Sequence, residues 1–247
     1  MLLLLPPSET KRDGGISGTA LDLAVLSFSE LTAQRRKALA GLRKVSRNAA
    51  HASAALKLGP QQAFEIDRNR SLGTSPLLAA IERYTGVLYD GLDTPTLTAG
   101  QRTFAGKHVA IHSALFGLLS ADDLIPAYRL SHDSRLPELS LRTLWRPAIT
   151  GVLESRGGVI LDLRSEAYAS LGPAPTGSSY LRVVSEGSGG RRVALSHFNK
   201  KAKGEFTRAV IEAGIEHPDA ASLLAWAKTA GIRLEQGAPG EIDLVVD

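Results

Sequence analysis

Four short apolar runs, each stopped by a polar cluster, limit most strongly what this chain can fold into. Leu2–Leu5 runs into Pro6-Pro7 and then reaches Ser8 and Lys11. Val109–Ile111 ends at His112 and Ser113, Val159–Leu163 ends at Arg164, Glu166 and Tyr168, and Val193–Leu195 ends at His197 and Lys200. Runs this short, bounded by proline, glycine or charge, read as buried strands. Open α/β sheets bind ligands outside the carboxyl ends of their strands. If these strands lie side by side in parallel, their clusters converge on one basic pocket. That adjacency is the assumption on which the reading turns.

The rest of the chain supplies helices. From Ser29 to Val45, Leu31, Ala38, Leu42 and Val45 share one face and Arg36, Arg43 and Arg47 another. Residues 31–70 carry nine Lys or Arg against Glu65 and Asp67, the most basic stretch of the chain. Such a face is either simply solvated or a contact surface for nucleic-acid phosphates. Helices are also expected over Gln61–Asn69, over Pro76–Tyr84 with Ser75 as cap, and over Leu141–Ser155, where Pro147 should kink or interrupt the run. Leu181–Ser185 and Arg191–Ser196 flank a glycine-rich turn and read as a β-hairpin. Further helices follow from Phe198 to Ala213 and from Pro218 to Ala230, then a last strand from Ile242 to Val246. Gly204 lies inside a helix, where close approach of a ligand or a second helix would justify it. The mixed order predicts a single α/β domain over residues 1–247, a mixed sheet surrounded by helices.

Composition removes several functions. The 247 residues contain no cysteine, which excludes disulfides, thiolate metal sites and a cysteine nucleophile. The six histidines are scattered, so no metal and no cofactor are expected. Phosphate-binding and dinucleotide-binding glycine loops and the Gly-x-Ser-x-Gly elbow are absent. No run approaches a membrane span, Met1–Pro6 is too short for a signal peptide, and the lack of cysteine fits a reducing cytosol. The net charge of +4 permits a polyanionic partner.

Two kinds of site remain. In the first, Ser8, Lys11, Arg129, Arg164, Tyr168, Lys200, Lys201 and Lys203 hold a small anion at the strand ends, with Glu166 or His197 moving protons. Lys200 and Lys203 project from a different flank of their helix than Lys201 and Arg208, so not all of these lysines touch one ligand. In the second, Arg36, Arg43 and Arg47 contact duplex DNA. Whether the chain is an enzyme stays open on these residues, as does its oligomeric state.

Pro6-Pro-Ser-Glu-Thr-Lys11, Tyr89-Asp-Gly-Leu92, Ser113-Ala-Leu-Phe-Gly117, Tyr128-Arg-Leu130, Trp145, Leu163-Arg-Ser-Glu-Ala-Tyr168 and Lys200-Lys-Ala-Lys-Gly204 occur in this order along the whole chain. Together they resemble the bacterial peroxide stress protein YaaA family. The resemblance implies a cytoplasmic protein that protects against hydrogen peroxide by limiting iron-dependent damage. It also implies DNA binding through a helix–hairpin–helix-like element, which on this chain falls at Ser113–Leu124 with Ser113 and Gly117 at its turn. Ala114 stands where relatives often have glycine, and Asp122 and Asp123 set negative charge beside that turn. Lys203 stands where an arginine is frequent, which keeps the charge and loses the bidentate fork.

Overall fold

The computed structural model describes residues 1–186, 192–194 and 199–246. The chain opens with strand β1 (Leu2–Leu5), and a long loop leads to helices α1 (Thr32–Ser46), α2 (Ala49–Leu56) and α3 (Phe64–Arg70). Next come β2 (Leu78–Ala79), α4 (Ala80–Arg83), α5 (Val87–Leu92) and α6 (Ala99–His108), then β3 (Val109–Ser113), β4 (Gly117–Ser120) and β5 (Leu124–Ile125). Helix α7 (Leu141–Arg156) leads to β6 (Ile160–Asp162), α8 (Glu166–Ser170), β7 (Ser179–Glu186) and β8 (Arg192–Ala194). The chain closes with α9 (Asn199–Ala213), α10 (Ala220–Thr229), β9 (Leu234–Gln236) and β10 (Glu241–Val246).

The fold is mixed α/β. The main sheet has the order β4-β3-β1-β6-β7-β10-β9, and β8 pairs with β7. Strands β3, β1, β6, β7 and β10 are mutually parallel, while β4 and β9 close the two edges antiparallel. Leu4 lies between Ala110 and Asp162, so β1 is flanked on both sides. Its four leucines are all buried. A strand at the centre of a parallel sheet is covered on both faces and reads as a continuous apolar run. Strand order reverses between β1, whose successor β3 lies on one side, and β6, which lies on the other. This is the switch point at which such sheets leave a crevice beyond their carboxyl ends.

The hairpin expectation holds, and the interruption expected at Pro147 does not occur. The β7–β8 pair is antiparallel, with Val184 opposite Ala194, although the glycine-rich turn itself lies outside the described residues. Helix α7 runs through Pro147 without a break. Its stripe of Leu141, Trp145, Ile149, Val152 and Leu153 is buried, while Pro147 faces solvent. The amide that proline lacks is thus missing on the wet side, where water can satisfy the carbonyl one turn back.

Two further expectations fail. Pro76–Tyr84 is not one helix: Leu77 bridges to Ile16, Leu78–Ala79 pairs with β5, and only Ala80–Arg83 is helical. The residue before this short helix is Ala79 and not Ser75, whose hydroxyl donates to the Ser71 carbonyl at 2.9 Å. The segment Ser113–Leu124 forms no helix–hairpin–helix. It ends β3, turns, forms β4 and enters β5. The turn is buried under α1 and α7. Trp145 Nε1 donates to the Ala114 carbonyl at 2.9 Å, and Arg35 donates to the carbonyls of Phe116 and Leu118 at 2.9 and 2.7 Å. Gly117 has φ 69°, and a Cβ there would sit 2.6 Å from the Trp145 ring.

Gly204 is explained by a helix. A Cβ on it would lie 2.0 Å from the Leu88 carbonyl oxygen of α5, and one on Gly91 would lie 2.8 Å from the Lys201 carbonyl oxygen of α9. The two helices therefore cross backbone against backbone. Gly151, inside α7, has nothing within 4 Å of the same position. Gly204→Ala should lower stability by about 3 kcal/mol, at the upper end for overpacking. Gly151→Ala should raise it by up to about 1 kcal/mol, the helix-propensity difference. Urea denaturation with unchanged m-values checks both.

Candidate functional site

The carboxyl ends of β1 and β6 and the first half of β7 border a cavity of about 880 Å³. The loop after β1 forms one wall through Pro6–Thr10, and the turn after β6 forms another through Ser165–Tyr168. The start of α5, the segment Ser131–His132, strand β7 and the first turn of α9 complete it. Among the expected ligand groups, Ser8, Glu166, Tyr168, Lys200 and Lys203 line this space. The convergence expected of the apolar runs is therefore seen for β1 and β6. His197 lies outside the described residues.

The remaining expected residues stand elsewhere. Lys201 is exposed, pairs with Glu205 at 3.3 Å, and is no part of the wall. Arg164 is fully buried beneath the site. Its Nε and Nη2 donate to the two Asp162 carboxylate oxygens at 2.8 and 2.6 Å. Its Nη1 donates to His112 Nδ1 at 2.9 Å. Because a guanidinium only donates, that nitrogen must accept, which puts the His112 proton on Nε2. Burial, and then the Arg164 charge, hold His112 well below the usual histidine range, so it stays neutral. Arg129 Nη2 binds Glu9 at 2.9 Å, and its backbone exchanges two hydrogen bonds with the Asn69 side chain.

Lys11 sits behind the loop that it shapes. Nζ donates to the carbonyls of Ser8 and Glu9 at 3.0 and 3.2 Å and lies 4.2 Å from the centre of the Tyr128 ring. It is only 7% exposed. Burial drives its pKa down to about 7, with Glu65 working against that shift and Arg129 adding to it. Lys203, 4% exposed, donates to the Leu163 carbonyl at 3.0 Å and lies 5.2 Å from the Tyr180 ring centre. Burial lowers it to about 8, opposed by Asp162 and Glu166.

Tyrosines make the rest of the wall. Tyr89 donates to the Pro6 carbonyl at 2.8 Å, and Tyr180 donates to that of Arg164 at 2.8 Å. Tyr168 stands between His112 and His132, with ring centres 5.4 and 5.3 Å away. Behind them the Ser113 hydroxyl accepts the backbone N–H groups of Leu115 and Phe116 at 3.1 and 2.9 Å. With both lone pairs used it must donate to Tyr128, 2.6 Å away, which then donates to Tyr84 at 2.7 Å. Ser113 and Gly117 are both buried, and this fixed network cannot present them to a DNA backbone. Burial pushes the Tyr84, Tyr89, Tyr128 and Tyr168 phenols up, so all four remain protonated.

The sequence reading missed Tyr89, His132, Tyr180 and Arg182 as wall residues. Tyr180 and Arg182 lie within a strand whose pattern alone gives no sign of the cavity. Tyr89 belongs to the glycine- and tyrosine-rich stretch Tyr84–Leu92, whose tyrosines read from sequence as packing residues. Arg36, Arg43 and Arg47 are exposed along α1, as the helical spacing requires. Among the described residues no three His, Asp or Glu side chains converge as metal ligands. Among the same residues no helix is long and apolar enough to cross a membrane.

The chain is thus an open, largely parallel α/β sheet with a tyrosine-lined crevice at its switch point, the place where such sheets seat ligands. The family model for peroxide stress protein YaaA matches residues 1–233, and the chain belongs to that family. A UPF0246 protein of Corynebacterium glutamicum strain R is 39% identical over 241 residues, covering 96% of this chain and 95% of its own. One from Corynebacterium efficiens is 39% identical over the full length of both, and one from Streptomyces coelicolor is 35% identical over 98% of this chain and 94% of its own.

The two lowered lysines give stability a pH dependence. In the unfolded chain Lys11 holds its proton up to about 10.5, while the folded chain releases it near 7. Between those values the unfolded state binds more protons, so stability rises with pH, and the penalty is fully present below about 7. Lys203 adds the same sign from about 8 upward. In urea denaturation at pH 7 and pH 9, wild type should gain stability with pH more steeply than Lys11→Met. The difference should approach about 1.4 kcal/mol per pH unit.

Proposed function

We propose that the chain serves the peroxide response by binding a small anionic ligand in the strand-end cavity. The observation that carries this reading is the cavity itself. A contact module needs only an open basic face, whereas here a buried and an exposed lysine of α9 and a glutamate and a tyrosine of α8 line one cavity with the loop after β1. Lys200 and Lys203 supply the positive charge, Ser8 and Tyr168 supply hydroxyl donors, and Glu166 is the group placed to move a proton. The physiological outcome suggested by the family is less iron-dependent damage. Inorganic phosphate added at constant ionic strength should raise the melting temperature of wild type saturably, and should do so much less in Lys200→Met. An equal, unsaturable rise in both proteins would sink this reading.

A second reading, phosphate contact with duplex DNA, is favoured by the outer face of α1. Arg36, Arg43 and Arg47 are exposed there, and none of them has an ion pair with a described residue. Their joint replacement by alanine should weaken DNA binding at low salt. It should also lower the slope of log K against log salt by about 3, one for each phosphate no longer neutralised. A titration at several salt concentrations measures this, and an unchanged slope rejects the helix as the DNA-binding face.

A further inference from the structure

We propose that the strand-end cavity takes a nucleotide unit, with its base against the tyrosine wall and its phosphate at Lys200 and Lys203. The proposal rests on the cavity reading above and narrows it. Aromatic residues make up only 5% of the chain, yet all five tyrosines gather at this end of the sheet. Tyr89, Tyr168 and Tyr180 line the space, and Tyr84 and Tyr128 back it. Stacking on an aromatic side chain strengthens binding of any base roughly tenfold or more.

Charges of both signs line the space. Lys200 and Lys203, one helical turn apart, stand on the α9 wall and Arg182 on β7, while Glu9 stands on the loop after β1, paired with Arg129, and Glu166 opens α8 near Lys203. A bare dianion would meet the carboxylates as well as the lysines. A ligand whose phosphate is held several ångströms from amino and hydroxyl donors satisfies both signs, and a nucleotide is built that way. Ser8, Thr10 and Ser165 add hydroxyls to the lining. The volume, about 880 Å³, is far more than an inorganic anion fills and lies within the span of small-molecule sites, about 300–1,000 Å³. The switch point is also where open α/β sheets seat nucleotides. The same chemistry is offered by a free mononucleotide and by a single unpaired residue of a nucleic-acid strand.

Calorimetric titration of the full chain with AMP, ribose 5-phosphate, adenosine and inorganic phosphate, at fixed ionic strength, tests the assignment. AMP should bind at least about tenfold more tightly than each of the other three. Lys200→Met, an exposed position that leaves the fold intact, should remove most of the advantage of AMP over adenosine. Ribose 5-phosphate binding as tightly as AMP would overturn the nucleotide assignment while leaving an anion site in place. No binding of any of the four would overturn both. Once AMP binding is established, competition with a short single-stranded oligonucleotide distinguishes the sources. Displacement of AMP assigns the site to a residue of a strand, and no displacement assigns it to the free nucleotide.

Discussion

The buried pair of Arg164 and Asp162 is the interaction on which this end of the molecule depends. Asp162 ends β6 between Leu4 of β1 and Tyr180 of β7. Arg164 takes both of its carboxylate oxygens and reaches His112 at the end of β3. The residues between and around the pair then offer their backbones outward. The Leu163 carbonyl receives Lys203, the Leu163 amide donates to Leu4, and the Arg164 carbonyl receives Tyr180. One turn thus ties four strands and α9 together. A buried ion pair gains little net stability over an apolar replacement, but losing one partner strands the other charge. Its value here is positional, because the cavity walls diverge from this knot.

The same logic recurs at the other buried arginines. Arg35 and Arg83 are fully buried and bound mainly by carbonyls. Arg35 fixes the β3–β4 turn from α1, and Arg83 joins α4 to β5 and to the loop after β1. Burial lowers both to about 10, which still leaves them charged at neutral pH. A cation that collects carbonyls can satisfy irregular backbone where no ladder reaches, and this chain uses it at each of these junctions between its sheet and its loops.

The strand ends were legible in the sequence because a central parallel strand has a distinctive pattern. Leu2–Leu5 and Val159–Leu163 have no alternation, and a polar residue must follow where the chain leaves the sheet. Which polar residues face the cavity was not legible. Lys200, Lys201 and Lys203 differ by one or two positions, and only the crossing of α9 on α5 decides that the first and third face inward. Arg164 and Arg35 look like surface charges in one dimension, since nothing local marks a guanidinium destined for carbonyls across the core. The Ser113–Gly117 turn misled for a related reason. A glycine and a serine at a turn suit phosphate contact, but here Gly117 clears space for Trp145 and Ser113 holds the turn's own amides.

The Gly91–Gly204 crossing bears on how the cavity can move. Helices that meet through side chains slide by repacking rotamers, the small shear seen in many domain closures. Backbones in direct contact have no such cushion. Helix α9, which carries Lys200 and Lys203, is therefore a fixed jaw. Adjustment to an occupant falls to the opposite jaw, the Pro6–Thr10 loop, which is tied by Tyr89 at Pro6, by Arg129 at Glu9 and by the Lys11 ammonium at the carbonyls of Ser8 and Glu9.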